Sequence, residues 1–578
     1  MYTIEENVRI VISLLKEYNI KHIVISPGGT NIPVTQAVQD DSFFTCYSVT
    51  DERSAMYFAI GLYLQLGTPI ATSCTSAQAT RNYIPGLTEA FYKHVPILAI
   101  TTSKLSRYTY QDYMQAPDQT SLPKDSVKKS FDLPYITDEN SRAYCIRQVK
   151  EAMLEITHRR SGPVQLNIRI SDKENGIFNQ KELPHLSPFK RYMAWDEWTD
   201  FTLNDKRILI VIGEHLPFSI EEINLIEEFA ENHNVTIYIN NLSNYHGKYA
   251  IHANLMLSTL PNNRFVSELK PDILITIGGQ TGDYPLFGKL SKMNNENIEH
   301  WSITEDGHII DTYNILTKIF ECPIKFFFNK LKSGHCEEHT YFKNWERLNQ
   351  AIKNDITLPL SNISVAKKLH KLIPHNSYIN FAILNSLRAW NYFQLDPSIK
   401  CFANVAAFGI DGCMSTLIGE SINTTSLCFL VTGDLAFFYD MNSLGIKHIG
   451  NNIRILLINN NGGAEFKIMA GKWNIEINRY ISASGHNSNA EGWAKTCNFD
   501  YLTAQTEEEL DKVKHKFINP NDKPIILEIF TQACNEQLAN EILIESNKQH
   551  NIKDNIKNKI IKITGERNIN KLKEILHK

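Results

Sequence analysis

The chain has 578 residues, a formal net charge of −4, 43% hydrophobic residues and 21% charged residues. This length exceeds what one hydrophobic core supports, so several domains are expected, and the near-neutral charge gives no reason to expect nucleic-acid binding. No apolar run is long enough for a membrane span, and the first residues form an amphipathic helix pattern rather than a signal peptide. The ten cysteines lack metal-binding spacing, so a cytoplasmic protein with reduced thiols is expected.

Short apolar runs alternate with helical patterns in the first part of the chain. The runs KHIVISPGG, TPIATSCTS and VPILAITTS predict strands, and stretches such as DERSAMYFAIGLYLQ predict the helices between them. This alternation predicts a doubly wound α/β domain with a parallel sheet, which we place at residues 1–185. Ligands of such sheets bind at the carboxyl ends of the strands.

A linker-like stretch, SDKENGIFNQKELPHLSP, precedes a second predicted α/β domain at residues 195–336. Its strands are RILIVIGEH, NVTIYINN and DILITIGG, and because it lacks a GxGxxG pattern we predict no FAD. A third domain of the same class is predicted at residues 361–545. Residues 546–578 form a charged tail, either a solvated or frayed helix or a lid over an active site.

Polar residues end two neighbouring predicted strands of the third domain. Asp434 follows the run CFLVTG, and Asn460 lies in the run NNNGG that follows RILLI. Carboxylate and amide oxygens are ligands that Mg²⁺ accepts, and free backbone N–H groups at a strand-to-helix turn suit a phosphate. The pattern predicts a site for magnesium and a diphosphate. The alternative is that Asp434 caps a helix and the asparagines form a turn.

A GD pair followed some 25 residues later by an asparagine pair resembles the signature of thiamine-diphosphate enzymes, the superfamily of decarboxylases and acetolactate synthases. The resemblance implies three doubly wound domains (pyrimidine-binding, central and diphosphate-binding) and the cofactors thiamine diphosphate and Mg²⁺. It places the metal on Asp434, Asn460 and the carbonyl of Gly462. Other implied cofactor-binding residues are Ser386, Phe408, Gly409, Ile410, Gly433, Leu435, Ala436, Gly463 and Ala464.

The resemblance also implies catalytic residues in the first domain. Glu52, in DERSA, matches the family's glutamate that hydrogen-bonds the cofactor pyrimidine; the alternative is an ordinary acid at a helix N-terminus. Gln111 and Gln115 lie in YQDYMQAP, which matches a glutamine-bearing catalytic segment. In this family the cofactor lies between the first domain of one subunit and the third domain of another. A homodimer is therefore the smallest expected assembly, and a homotetramer is possible.

The resemblance is greatest to the menaquinone-pathway synthases that join 2-oxoglutarate to isochorismate, and it extends from about Ile23 to Ile529. It rests on ISPGG, DERSA, NSL, FGIDGCMST, GDLAFFYDMNSL and NNNGGAEF. Gln111 is kept, but the carboxylate-binding positions of those enzymes are largely replaced. The replacing residues are Gly29, Thr30, Lys104, Asp283, Tyr284, Trp390 and Val405.

Lys104 keeps the charge of the arginine it replaces but not its planar fork, and the loss of cations at most of the other positions bears on the substrate. Burying an unpaired carboxylate costs on the order of several kcal/mol, so the site is expected to bind isochorismate or 2-oxoglutarate poorly. Trp390 and Val405 predict a more apolar pocket, which favours a small 2-oxo acid such as pyruvate as the donor. The alternative is that charge comes from Arg388, Lys93, His94 or Arg107 at shifted positions.

The predicted reaction is decarboxylation of a 2-oxo acid and transfer of the acyl-anion equivalent to a second carbonyl compound. Simple pyruvate decarboxylases carry a tandem His-His pair that handles protons during aldehyde release, and its absence from this sequence makes simple aldehyde release less favoured. Two alternatives remain: the menaquinone-pathway reaction itself, and a non-catalytic cofactor-binding protein. Glu465 either relays protons near the cofactor or is an ordinary acid at the start of a helix.

Overall fold

The computed structural model describes residues 1–172, 175–199, 201–282, 284–293, 297–469, 477 and 479–548. The chain divides into two compact units, one of residues 1–193 with 308–320 and one of residues 194–307 with the chain from 321 onward. Asp283 and nearly all of the predicted charged tail lie outside the described residues.

The first unit is built from alternating strands and helices, as the sequence pattern predicts. Its strands are β1 (Tyr2–Thr3), β2 (His22–Ile25), β3 (Thr45–Ser48), β4 (Ile70–Cys74), β5 (Ile97–Lys104), β6 (Ser130–Leu133), β7 (Val164–Ile170), β8 (Phe178–Gln180) and β9 (Lys190–Met193). Its helices are α1 (Glu6–Glu17), α2 (Ile32–Gln39), α3 (Glu52–Leu66), α4 (Gln78–Asn82), α5 (Ile84–Lys93) and α6 (Glu139–Glu155).

Six of these strands form a parallel sheet in the order β3-β2-β4-β5-β7-β6. All seven residues of β7 are buried, because helices cover both faces of the sheet. Separate hydrophobic clusters lie on the two faces, one around α1 and α6 and the other around α3 and α5. Helix α3 ends where Gly67 adopts a left-handed conformation, with φ of 69°.

The second unit begins with a parallel sheet in the order β12-β11-β10-β13-β14. Its strands are β10 (Ile208–Ile212), β11 (Val235–Ile239), β12 (Ala250–His252), β13 (Ile273–Ile277) and β14 (Glu299–Thr304), and β15 (Leu316–Glu321) follows where the chain returns to the first unit. Its helices are α7 (Ile220–Asn232), α8 (Asn254–Thr259), α9 (Asn262–Arg264), α10 (Tyr284–Leu290), α11 (Ile324–Leu331) and α12 (Thr340–Gln350).

The rest of the second unit carries a six-stranded parallel sheet in the order β17-β16-β18-β19-β21-β20. The strands are β16 (Tyr378–Phe381), β17 (Lys400–Ala403), β18 (Cys428–Gly433), β19 (Ile453–Asn459), β20 (Asp500–Ala504) and β21 (Ile525–Phe530). The helices are α13 (Asn362–Leu369), α14 (Asn385–Trp390), α15 (Cys413–Glu420), α16 (Asp434–Tyr439), α17 (Ala464–Ile468), α18 (Arg479–Ser482), α19 (Glu491–Thr496), α20 (Glu507–Ile518) and α21 (Ala533–Ser546).

The first and last sheets share one strand order when each is numbered from its own first strand. Both are covered on both faces by helices and hydrophobic clusters. The predicted α/β class with three parallel sheets is therefore confirmed. Within the described ranges, no helix combines the length and the apolar composition that a membrane crossing requires.

Candidate active site

The carboxyl ends of β16, β18 and β19 meet at one edge of the last sheet. Strand β17 follows β16 in the chain but lies on the far side of it, so β16 and β18 become neighbours at a reversal of strand order. Ligands of doubly wound sheets bind in the crevice that such a reversal opens. Asp434 follows β18 and Asn460 follows β19, so both predicted metal ligands lie at this edge.

The Asp434 side chain is 2% exposed and links the two strand ends. Its Oδ2 accepts hydrogen bonds from the backbone N–H groups of Asn460 at 3.1 Å and Gly462 at 2.9 Å. The N-cap residue of α16 is Gly433, so the carboxylate does not act as the helix cap. The other residues predicted to contact the cofactor here lie in the same two turns, at Leu435, Ala436, Gly463 and Ala464.

The three consecutive asparagines after β19 have different partners. Asn459 donates from Nδ2 to the buried Glu528 at 2.7 Å, and the side chain of Asn461 accepts from the backbone N–H of Gly485 at 3.1 Å. The Oδ1 atom of Asn460 is buried, and no residue that the structure describes donates a hydrogen bond to it. Asn460 alone therefore presents a free side-chain oxygen, at the position that the resemblance assigns to the metal.

The turn after Asn460 requires glycine at position 462. Gly462 has φ of 139°, and a Cβ atom there would lie 2.6 Å from the Cα of Ser484, so only glycine fits. In the described part of the chain, no group of three or more His, Cys, Asp or Glu side chains could hold a metal. The oxygens of Asp434, Asn460 and Gly462 are nevertheless the hard donors that Mg²⁺ accepts, so the residues present fit this ion.

The loop between β17 and α15 holds Ile410, one of the predicted cofactor-binding residues. Ile410 is partly buried and packs against the hydrophobic clusters on both faces of the sheet. Phe408 adopts a left-handed conformation with φ of 60°, and Gly409 separates it from Ile410. Helix α15 starts at Cys413 with Gly412 as its N-cap. The backbone of this loop, at the end of the sheet, is therefore strained at Phe408. Backbone strain of this kind is common at functional sites.

A buried acid that the sequence did not indicate supports the start of α14, which carries Ser386. Glu536 accepts hydrogen bonds from the backbone N–H of Asn362 at 3.0 Å and from Thr531 at 2.7 Å, and Asn385 lies within 3.4 Å of it. Burial raises the pKa of the Glu536 carboxyl above its usual value. No motif marks this residue, because its partners are brought together only by folding.

His486 is a second residue that sequence reasoning missed. Its Nε2 atom lies 3.2 Å from Oδ2 of Asp434, and its ring meets the Phe438 ring edge to face at a centroid distance of 5.6 Å. It lies far beyond the NNNGG turn in the chain, so no local spacing links it to Asp434.

Arg388 and Glu465 form a partly buried ion pair beside this edge. The Nη1 atom of Arg388 donates to both carboxylate oxygens of Glu465, at 2.7 and 2.6 Å, and the two side chains are 14% and 13% exposed. The Arg388 guanidinium also lies 5.3 Å from the centre of the Tyr284 ring. The Glu465 carboxylate is thus held by a cation, whereas its predicted role as a proton relay stays a prediction.

Trp390 and Val405, which the sequence placed in the substrate pocket, are both 1% exposed. Both belong to the hydrophobic cluster on one face of the last sheet, and the Trp390 ring packs 5.9 Å from that of Phe381. The structure thus places both side chains in the packed core. Their contribution to substrate choice stays a prediction.

In the first unit, Glu52 is the first residue of α3. The neighbouring Asp51 is the N-cap and accepts the backbone N–H of Arg53 at 3.0 Å, so Glu52 is not needed as the helix cap. The half-buried Glu52 side chain accepts one hydrogen bond, from Asn82 at 3.0 Å. A carboxylate at the start of a helix and free of capping is consistent with its predicted role at the cofactor pyrimidine.

Gly29 and Thr30 follow β2, but only one of them is open to a ligand. Thr30 is 3% exposed, and its hydroxyl bonds to the hydroxyls of Thr75 at 2.8 Å and Thr102 at 2.9 Å. An added Cβ atom at Gly29 would meet no described atom within 4 Å. Thr30 therefore ties strand ends together, and Gly29 leaves space beside them.

The segment with the two predicted catalytic glutamines has an unusual backbone. Tyr110, Asp112 and Gln115 all have positive φ, of 62°, 54° and 56°, and Gln111 lies among them. Gln115 lines a cavity of about 770 Å³ together with Arg81 and several tyrosines. Positive φ in three non-glycine residues is strain of the kind that functional segments carry.

The cations of the first unit that could serve as substrate anchors have partners. Lys104 forms an ion pair with Asp172 and lies 5.9 Å from the centre of the Tyr113 ring. The other three candidates have neighbours of their own, since Lys93 pairs with Glu89, His94 accepts from Arg160, and Arg107 lies over Tyr108.

Comparison with known proteins identifies the class. Residues 7–122 match the N-terminal TPP binding domain of the thiamine pyrophosphate enzymes, thiamine pyrophosphate being another name for thiamine diphosphate. This range contains Glu52, and the match places the chain among the thiamine pyrophosphate-dependent enzymes.

Known proteins that are similar over at least nine-tenths of the chain show the family within this class of enzyme. The chain is 32% identical over 553 residues to the 2-succinyl-5-enolpyruvyl-6-hydroxy-3-cyclohexene-1-carboxylate synthase of Phocaeicola vulgatus, covering 92% of this chain and 96% of the relative. The synthase of the same name from Bacteroides fragilis is 31% identical over 557 residues, and that from Flavobacterium psychrophilum is 30% identical over 536 residues, with at least 90% of this chain and 95% of each relative covered. The chain belongs to this family of thiamine pyrophosphate-dependent synthases.

Proposed function

We propose that the chain decarboxylates a 2-oxo acid and transfers the acyl-anion equivalent to a second substrate, using thiamine diphosphate and Mg²⁺. The observation that carries the proposal is the edge where the free Oδ1 of Asn460, the carboxylate of Asp434 and the turn at Gly462 converge. An unpaired buried acceptor is costly unless a ligand or water meets it, and a magnesium ion would do so.

As substrates we propose 2-oxoglutarate and isochorismate, the pair joined by the menaquinone-pathway synthases. Support comes from the similarity of at least nine-tenths of the chain to 2-succinyl-5-enolpyruvyl-6-hydroxy-3-cyclohexene-1-carboxylate synthases. The bound cofactor supplies the electron sink for decarboxylation. Among the chain's own residues, Glu52 would hold a proton at the cofactor pyrimidine. Asp434 and Asn460 would hold the metal. Ile410 would contact the cofactor.

We further propose that the chain assembles as a homodimer. Helix α3, which starts at Glu52, exposes a row of apolar side chains on one face: Tyr57 is 48%, Phe58 42% and Leu64 64% exposed. Contiguous exposed apolar side chains on a helix mark interaction surfaces. A second copy of the chain is the occupant expected from the family, in which active sites form between subunits.

A small donor such as pyruvate is the second candidate. It is favoured by the pairing of potential substrate anchors within the chain itself, since Arg388 is bound to Glu465 and Lys104 to Asp172. A cation already neutralised inside the protein attracts a second carboxylate less strongly than a free one does.

The test is CO₂ release and product mass with 2-oxoglutarate, pyruvate and related acids, each with and without isochorismate. The proposal expects CO₂ release with 2-oxoglutarate and isochorismate, a product whose mass is the sum of the two acids less CO₂, and loss of both in Glu52→Gln. Turnover of pyruvate alone would select the second candidate. No turnover of any acid, with thiamine diphosphate still bound in a calorimetric titration, would establish a non-catalytic cofactor-binding protein.

A further inference from the structure

The Arg388 guanidinium has one occupied side and one free side. Its Nη1 atom is taken by Glu465, whereas Nη2 is buried and donates to no residue that the structure describes. A buried donor of a charged group without an acceptor costs free energy unless a ligand or water completes it. The free side of the guanidinium is therefore a ready site for an anion.

The surroundings place this free donor beside the candidate active site. Arg388 lies two positions after Ser386 on α14, and Glu465 directly follows Ala464 at the turn that presents Gly462. Both residues thus come from the carboxyl ends of strands β16 and β19, next to the reversal of strand order.

The segment before α10 covers Arg388 from the other side. Gln280 donates to the backbone carbonyl of Ala406 at 3.3 Å, four residues before Ile410. An added Cβ at Gly282 would lie 2.7 Å from the Leu387 side chain, so this segment packs directly on α14. Tyr284, which is 47% exposed, places its ring over the guanidinium, with the ring centre 5.3 Å from the guanidinium carbon.

We propose that Arg388 is the substrate-carboxylate anchor of this chain, with Nη2 donating to a carboxylate of the substrate and Glu465 holding the guanidinium in place. Arginine suits this task because its planar group donates in two directions at once, which lysine cannot do. The paired charges also spare the protein an uncompensated buried cation when no substrate is bound. The inference deepens the proposed function, on which it rests for the choice of ligand.

The test measures binding rather than turnover. Full-length Glu52→Gln protein, loaded with thiamine diphosphate and Mg²⁺, is titrated by calorimetry with 2-oxoglutarate, pyruvate and isochorismate separately. In this background Arg388→Gln/Glu465→Gln removes both charges together, so no buried charge is left unpaired and the fold is expected to persist. Glu465→Gln alone keeps the arginine, and Arg347→Gln removes an exposed arginine of the same unit that pairs with Glu268.

The expected result is at least a tenfold rise in the Kd of one or more of these carboxylates in the double variant. Glu465→Gln, which keeps the arginine, should raise the Kd less than the double variant does, Arg347→Gln should stay within about threefold of the parent, and thiamine diphosphate binding should be unchanged in all. The acid whose Kd rises identifies the carboxylate that Arg388 binds. Equal Kd values in the double variant and its parent, or no binding of any acid to the parent, would overturn the inference. Arg388-dependent binding by a protein whose wild type shows no turnover would uphold the anchor while refuting the proposed reaction.

Discussion

The backbone N–H of Asn460 donates to Oδ2 of Asp434 at 3.1 Å, joining two residues that are 26 positions apart. This bond orients Asn460 by its main chain and leaves its side-chain oxygen without a donor among the described residues. The carboxylate and the amide oxygen are thereby held at one edge of the sheet before any ligand arrives, and such preorganisation lowers the free-energy cost of binding.

Replacing Asn460 by leucine should separate ligand binding from folding. Because the Oδ1 atom has no described donor, its loss should leave the melting temperature of the ligand-free protein within about 2 °C of wild type. The stabilisation by thiamine diphosphate and Mg²⁺, about 2.7 kcal/mol at 100 times Kd, should disappear. Thermal unfolding with and without both ligands measures this.

Asn459→Leu is the matched control for that experiment. It removes the 2.7 Å hydrogen bond to the buried Glu528 and should lower the stability of the ligand-free protein by about 1–3 kcal/mol. If Asn460→Leu kept the full ligand-induced shift, Asn460 would not be a metal ligand.

Gly462→Ala should disturb the same turn through the backbone. At φ of 139° an alanine is strained, and its Cβ would overlap the Cα of Ser484 at 2.6 Å. We expect a loss of about 1–3 kcal/mol and weaker Mg²⁺-dependent cofactor binding, measured by thermal unfolding and titration. Gly492→Ala in α19, where an added Cβ would meet no described atom within 4 Å, should be neutral or stabilising by up to about 1 kcal/mol. Equal effects of the two substitutions would contradict this account of the turn.

Glu420→Gln should stabilise the protein at high pH only. Burial raises the pKa of the Glu420 carboxyl to about 6 from the ordinary 4.5, against a hydrogen bond from Asn380 that lowers it. Between pH 4.5 and about 6, the Glu420 carboxyl ionises more readily in the unfolded chain than in the folded protein. The free energy of unfolding of the wild type therefore falls as the pH rises through this range. The amide does not ionise, and the variant should gain about 1 kcal/mol at pH 8 after allowance for solvent screening.

Thermal unfolding of Glu420→Gln and wild type at pH 4.5 and pH 8 measures this difference. The exposed Glu541→Gln serves as the control and should show no pH-dependent difference. A gain for Glu420→Gln of the same size at both pH values would show that ionisation of Glu420 is not its cause.

Phe58→Glu should dissociate the proposed dimer. A charge on the exposed apolar face of α3 would have to be buried between subunits, which costs several kcal/mol, on the order of the binding free energy of a moderate interface. Light scattering after size-exclusion chromatography should give a monomer mass, accompanied by loss of turnover. Leu216→Glu, at a side chain 71% exposed in the second unit, should keep the parent's mass. A dimer of unchanged stability in Phe58→Glu would exclude this face as the interface.

The sequence by itself determined the class of fold and one edge of the site. Alternation of apolar strands with amphipathic helices is a local property, and it predicted the parallel sheets that the structure contains. Asp434 and Asn460 each follow an apolar strand directly, and parallel strands bring their carboxyl ends to a common edge, so their proximity followed from position in the chain.

Only the tertiary structure decided which polar groups are left free. Asn459 and Asn461 are bound to Glu528 and Gly485, and this leaves Asn460 as the asparagine with an available oxygen. The pairing of Arg388 with Glu465 spans 77 positions and likewise has no local signature. Hydrogen-bond partners of buried groups are chosen by packing between segments distant in the chain, and a pattern read along one strand or helix carries no information about them.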